Sequence, residues 1–179
     1  MRRNSKRSKA LPQTFFDRKT LVVARELLGK HLVRKRKGKT HAYMITEVEA
    51  YDGHKDKASH AFRGRTKRTE IMFGEPGHMY VYFTYGMHWL FNIVTGKKDY
   101  PAAILIRGVE GITGPARLTR ALRITGVENG KKLGKISGVW IEDRGVASRK
   151  IDISRTPRIG VPYAKEWAQK PYRFVLKKK

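Results

Sequence analysis

The sequence predicts a single α+β domain. Three observations carry that expectation. At 179 residues the chain is long enough to bury a real core but short for two domains. Strand-like alternation is mixed with short helical periods and never settles into the βαβ rhythm of a parallel sheet. No internal repeat and no linker of shifted composition divides the chain. A hydrophobic content of 40% with 17 Gly and 7 Pro is that of a globular protein. Within it, residues 1–12 are expected to form a disordered basic arm, residues 13–176 the domain, and residues 177–179 a basic tail.

The elements follow in order. Asp17 is a plausible N-cap for a helix whose Leu21, Ala24, Leu27 and Leu28 share one face, with Gly29 as its stop. HLVRKRKGKTHAYMITEVEAY reads as two strands joined by a basic turn at Lys37–Lys39. Residues 52–76 lack a period and read as a long loop with one helical turn; loops of that length inside a compact domain are usually functional. Tyr80–Thr84 and Trp89–Val94 are strands turned by Tyr85-Gly86, and Ala102–Arg107 is a buried strand ending in a cation. Gly114-Pro115 opens a helix that runs through Leu122, with Gly126 after it. NGKKLGK (129–135) is a surface turn. Val139–Glu142 and Arg173–Leu176 complete the strands, with Tyr163–Gln169 a short helix between them.

Charge narrows the function. Forty Lys and Arg against 15 Asp and Glu give a net charge of +25. Five of those cations lie in the first ten residues and three in the last three, so the folded body is itself strongly basic. Such a field attracts polyanions, nucleic acid foremost. The absence of Cys excludes disulfides, thiolate metal sites and a Cys nucleophile. The start of the chain lacks the apolar segment of a secretory signal, and no apolar run reaches membrane-spanning length, so an intracellular protein is expected.

The stretch from Ile45 to Asn92 gathers acids, histidines, tyrosines and a basic run. Strict alternation puts Ile45, Glu47, Glu49 and Tyr51 on one strand face. In isolation a Glu pair reads as a solvated face; the downstream aromatics give weight to a pocket in which a carboxylate activates a water. His54, Asp56 and His60 raise a metal site, although their spacing matches no strong ligand motif and the surrounding Lys and Arg repel cations. Tyr80, Tyr82 and Tyr85 bracket a strand end and suit either cross-strand packing or stacking on a nucleobase, which is worth about 1–3 kcal/mol per base. The run Arg63, Arg65, Lys67, Arg68 suits a solvated loop or phosphate contact. Arg107, at the end of a buried strand beside Leu105, requires a carboxylate or a phosphate.

Taken together, TEVEAY (46–51), DKASH (56–60), RGRT (63–66), MFGEPG (72–77), YVYFTYGMH (80–88) and PRIGVPYAKEWAQKPYRF (157–174) closely resemble the alkyladenine (3-methyladenine) DNA glycosylase family. FFDRKTLVVARELLGK (15–30) and GPARLTRAL (114–122) fit as well, so the resemblance spans about residues 12–176. It implies a curved, mainly antiparallel sheet with short packing helices. It also implies an enzyme that needs no metal or other cofactor; a monomer is the default expectation for an enzyme that scans a duplex. Such an enzyme hydrolyses the N-glycosidic bond of 3-methyladenine, 7-methylguanine, hypoxanthine or ethenoadenine flipped out of double-stranded DNA. By the same resemblance Glu49 is the general base and Arg107 a catalytic-pocket arginine. Tyr51, His60 and Tyr82 hold the extruded base, with Leu105 beside them. Asn92 disfavours normal guanine, and Tyr85 intercalates into the duplex. The chain departs from the family at a short 110–114 segment, Thr69, Ala116 and Tyr172. A non-catalytic nucleic-acid-binding protein and a metal-dependent nuclease using Glu47, Glu49 and His60 are the competing readings.

Overall fold

The computed structural model describes residues 9–145 and 152–177. Among the described residues, three α-helices and ten strands form one α+β unit around an open sheet. The helices are α1 (Gln13–Phe16), α2 (Thr20–Leu27) and α3 (Pro115–Leu122). The strands are β1 (Lys9–Ala10), β2 (His31–Arg36), β3 (Lys39–Asp52), β4 (Met79–Thr84), β5 (His88–Val94), β6 (Ala102–Val109), β7 (Ile112–Thr113), β8 (Val139–Asp143), β9 (Ile153–Thr156) and β10 (Arg173–Leu176). The main path runs β1-β8-β2-β3-β6-β5-β4, with β10 also on β3, β9 on β10 and β7 on β6. Every pairing among the described residues is antiparallel.

The 14-residue β3 is the spine. Its first half pairs with β2 across the Lys37-Gly38 turn, where both residues have positive φ (49° and 75°), the geometry of a two-residue hairpin loop. Its second half pairs with β6 on one side, and Glu47–Glu49 pair with β10. Between Ile45 and Val48 the β3–β6 register slips, and a bulge of this kind bends its strand. The bulge corrects the alternation read from the sequence. Ile45 turns into the main core with Val48 and Ala50, whereas Glu47, Glu49 and Tyr51 share the opposite face.

That core packs α2 and α3 against one face of the sheet through residues such as Val23, Leu27, Phe91, Ile104 and Leu118. A second, smaller cluster of Ala61, Met72, Phe73, Tyr80, Val94 and Ala103 seats residues 60–73 against the other end of the sheet. The segment read as a loop with one helical turn carries two 3-10 turns, His60–Arg63 and Glu70–Phe73.

Several boundaries differ from the sequence reading. The expected arm 1–12 lies outside the described residues up to Ser8, but from Lys9 onward it is ordered. Lys9 and Ala10 pair with Asp143 and Glu142, and the Leu11 N–H donates to Ile141 O (2.8 Å), because β8 would otherwise present an unpaired edge. At the other end, Lys177 is tied to Asp152 through its N–H (2.9 Å) and Nζ (3.1 Å), and residues 178–179 lie outside the described residues. Asp17 ends α1 and does not cap α2, which begins after Lys19. Arg123, at φ 51°, terminates α3; Gly126 serves packing instead, since a Cβ there would lie 2.7 Å from the Trp89 ring. The helix expected at Tyr163–Gln169 is a 3-10 segment, Pro162–Gln169, broken at Lys165.

Candidate active site

Antiparallel register builds the site. Arg173 lies opposite Glu49, Glu49 opposite Leu105, Leu105 opposite Asn92, and Asn92 opposite Tyr80. Residues directly opposite share a face, so this one row crosses β10, β3, β6, β5 and β4 on the side away from the main core. Tyr51 and Arg107 stand two residues along β3 and β6 and therefore on the same face as Glu49 and Leu105. Residues 58–61 and 159–163 close over this face from two sides.

The result is a cleft of about 500 Å³, within the range of small-ligand sites. Seven of the eight residues expected from the sequence line it: Tyr51, His60, Tyr82, Tyr85, Asn92, Leu105 and Arg107. Glu49 lies behind them with no solvent exposure. Its Oε1 accepts the Ile159 N–H (2.8 Å), its Oε2 accepts the Tyr51 hydroxyl (3.0 Å), and Arg107 Nη1 approaches Oε2 at 3.5 Å. Burial pushes the Glu49 carboxyl above its ordinary range, opposed by the Arg107 charge and by the Ile159 and Tyr51 donors. The three donors favour the ionised form against that burial.

The neighbouring carboxylate has a different task. Glu47 Oε1 accepts from both Arg107 Nε (3.0 Å) and Arg173 Nε (2.7 Å), so Arg107 is held between the two acids. Among the described residues no three His, Asp or Glu side chains gather at metal-binding spacing. Asp56, grouped in the sequence with His54 and His60, is fully buried instead as the partner of Arg158.

The aromatic walls are neutral. The His60 ring contacts Tyr82 edge-on (4.6 Å between centroids), and its Nδ1 shares a proton with the Tyr80 hydroxyl (2.9 Å). Burial, reinforced by the Arg68 charge, lowers the His60 pKa to about 4. Burial also raises the Tyr51 and Tyr82 hydroxyls above their ordinary value. Arg68 covers the Tyr82 ring at 5.0 Å. Asn92 is buried, and its amide donates to Tyr80 O (3.0 Å). Tyr85 projects from the β4–β5 turn at φ 53° with 82% of its surface exposed, flanked by the exposed Phe83 and Met87.

Sequence reasoning missed Arg158, which sits in the PRIGVPY segment quoted above only for the family resemblance. Its guanidinium is buried, bonds Asp56 through two nitrogens (2.5 and 2.8 Å), donates to Ala50 O (2.8 Å) and stacks over Tyr51 at 4.8 Å. The next residue, Ile159, supplies the N–H on Glu49, so Arg158 anchors both donors of that carboxylate. The only signal was an Arg between Pro157 and Gly160, which says nothing of burial.

Comparison with known proteins identifies the family. The family model described as methylpurine-DNA glycosylase (MPG) matches residues 14–114 and 110–179. The chain belongs to the methylpurine-DNA glycosylase family. Relatives of the glycosylase family include a protein named "Putative 3-methyladenine DNA glycosylase" in Methanocella arvoryzae, 45% identical over 92% of this chain and 90% of its own length. Proteins of the same name occur in Myxococcus xanthus (44% identical; 92% of this chain and 88% of the relative) and Carboxydothermus hydrogenoformans (43%; 93% and 95%). In this glycosylase no helix among the described residues is long and apolar enough to cross a membrane.

Proposed function

We propose that this chain is a monofunctional DNA glycosylase that hydrolyses the N-glycosidic bond of alkylated or deaminated purines flipped from duplex DNA. DNA glycosylase activity follows from the family; the lesion class, the flipping step and the single-step hydrolysis are our reading. The observation that carries it is Glu49: a solvent-excluded carboxylate with a raised pKa, held by the Tyr51 and Ile159 donors immediately behind an aromatic-lined cleft.

A purine cannot be hydrolysed inside the base stack, so the nucleotide swings out at a cost of a few kcal/mol, least for a damaged pair. Tyr85, exposed at a hairpin tip, fills the vacated space. Tyr51, His60 and Tyr82 receive the base; being uncharged, they tolerate a cationic alkylpurine, and electron-rich rings attract it. Asn92 and Leu105, side by side in the cross-strand row, form the floor that screens the base edge. Each carboxylate oxygen has two acceptor sites; Oε2 takes the Tyr51 hydroxyl and Arg107 Nη1, whereas Glu49 Oε1 takes only the Ile159 N–H and retains one site for a water. As the C1′–N bond breaks, its electron pair leaves with the purine. The water oxygen bonds C1′, and its proton passes to Glu49. Arg107 steadies the carboxylate and, through Glu47 and Arg173, is itself held in place. General-base catalysis of this kind is worth about 10²–10⁴-fold.

The test uses duplexes with a single hypoxanthine or ethenoadenine, incubated with wild type and Glu49→Gln, with and without chelator. Base release that persists in chelator and falls at least about 10²-fold in the variant is expected. Release untouched by Glu49→Gln would refute the mechanism. Metal-dependent strand cleavage would favour a nuclease, and binding without release a non-catalytic protein.

A further inference from the structure

We propose that the buried Asp56–Arg158 pair is the positioning device of this active site. It fixes two of the three donors on Glu49 and also the wall that carries His60, so ionisation of the base and seating of the purine depend on one ion pair. This role rests on the glycosylase reading and extends it from the reacting groups to what holds them. Neither side chain lines the cleft, and neither has solvent-exposed surface. Both act through other residues.

Three stretches of chain meet at the pair. On β3, Arg158 Nη1 donates to Ala50 O (2.8 Å), the Asp52 N–H donates to Asp56 Oδ2 (3.0 Å), and the guanidinium lies over the Tyr51 ring at 4.8 Å. Ahead of the first 3-10 turn, the Ala58 N–H donates to Asp56 Oδ1 (3.0 Å) and the Ser59 N–H to Asp56 O (2.8 Å). Ser59 Oγ in turn accepts the Ala61 N–H (3.2 Å) and so caps the turn that begins at His60. In the third stretch, Arg158 Nη2 donates to Trp167 O (3.2 Å), and Ile159, next in the chain, presents its N–H to Glu49. Ala58, Val161 and Ala164 pack together beside Tyr51 and Trp167, so apolar contacts close the same junction.

Stability alone does not call for such a pair, because well-packed apolar side chains of similar volume often hold an interior as well or better. A guanidinium offers instead a rigid planar fork of donors that sets several acceptors at once. Glu49 is where that matters. It is faced by Glu47 and Tyr51 from β3, Arg107 from β6, Tyr82 from β4, Arg173 from β10 and Arg158 from the stretch after β9. Burial and Glu47 work against its charge, whereas Arg107, the Ile159 N–H and the Tyr51 hydroxyl work for it. Each of those donors is held by a further acid: Arg107 by Glu47, and Tyr51 and Ile159 by Asp56 through Arg158. Loosening Arg158 is therefore felt at Glu49 as weakened donors and at His60 as a displaced wall.

The test compares wild type, Arg158→Lys and a matched control, Arg34→Lys. Lysine keeps the charge at both sites and loses the fork. Arg34 is likewise buried, pairs with Glu128 (2.9 Å) and donates to Leu122 O and Arg123 O, but it lies on β2, which carries none of the cleft residues. The Glu49 carboxyl carbon is titrated by NMR in the free protein, and single-turnover release of ethenoadenine is followed against pH. In Arg158→Lys the titration and the acid limb of release are both expected to move to higher pH by about one unit, the shift that corresponds to losing one hydrogen bond to a charged group. Binding of the ethenoadenine duplex should weaken several-fold while an undamaged duplex is bound as before, because only a seated base meets His60. The control should lose stability with the titration and both affinities unchanged. Should Arg158→Lys not fold, Asp56→Asn/Arg158→Met replaces the pair without stranding a charge, and the same upward shift is expected. An unmoved Glu49 titration, an equal shift in the control, or affinity lost equally for both duplexes would each overturn the proposal. The carboxyl titration needs no turnover, so the two readings fail separately. Absence of base release by wild type would overturn the glycosylase reading, whereas release with an unmoved titration overturns the positioning role alone.

Discussion

Replacing Asp56 with Asn should destabilise this protein more than most single substitutions. Asp56 and Arg158 have no solvent-exposed side-chain surface and are joined through two nitrogen–oxygen contacts. Asp56 also accepts the backbone N–H groups of Asp52 and Ala58, both at 3.0 Å. Asn keeps one acceptor oxygen, turns an amine toward these donors and strands a guanidinium in the interior. Removing one partner of a buried pair costs about 3–5 kcal/mol. At about 2–4 °C per kcal/mol for a chain of this size, the midpoint should fall by about 6–20 °C. Urea and thermal unfolding followed by Trp fluorescence measure the loss. A cost below about 1 kcal/mol, the range of exposed pairs, would refute the reasoning. The double variant Asp56→Asn/Arg158→Met separates charge from packing. It should be no less stable than Asp56→Asn, because no stranded cation remains. A much larger loss would shift the weight to the stacking of Arg158 on Tyr51 and Tyr172.

Three further outcomes are expected. Because the base must be ionised and Glu49's pKa is raised, base release should decline as pH falls through a value above the ordinary 4.5, and ionising Glu49 as pH rises should work against fold stability. His60, already neutral above about pH 4, should leave that limb in place when changed to Gln; a pH–rate profile decides, and a limb that moves with His60 would reassign the titration. Tyr85→Asn keeps a residue that tolerates positive φ and should change stability by less than about 0.5 kcal/mol, since the side chain is exposed. It should nonetheless lose about 1–3 kcal/mol of stacking on a lesion duplex, read by 2-aminopurine fluorescence beside the lesion. Gly126→Ala drives a methyl to 2.7 Å from the Trp89 ring and should cost about 1–3 kcal/mol, with a changed near-UV circular dichroism signal.

Much of this molecule was legible because alternation and turn chemistry are local. The Tyr85-Gly86 turn, the strand that follows it and the Pro115 helix start fall where residue type places them. The family motifs likewise marked seven residues that converge on one cleft. What escaped depends on distant partners. The face of Ile45 is set by a bulge against β6, which strict alternation within β3 does not reveal. Lys9 and Ala10 look like part of a polar arm until the unpaired edge of β8 is supplied. Arg158 is an ordinary surface cation by composition; only Asp56, 102 residues away, makes it the buried anchor beside Glu49. Gly126 reads as punctuation, and only the Trp89 ring against it shows why a side chain is excluded.

The cross-strand row has a consequence for how this site tolerates change. Its members come from segments scattered from residue 49 to residue 173, but their separations are set by hydrogen-bonded strand spacing rather than by loop length. Three steps of about 4.8 Å separate the strand bearing Glu49 from the strand bearing Tyr80, a rigid gauge of about 14 Å. Loops at the strand ends, such as the short connection at Glu110–Gly111 between β6 and β7, can lengthen or shrink without altering that gauge. Insertions there would retune what reaches the cleft, while the distance between the carboxylate and the far wall stays constant.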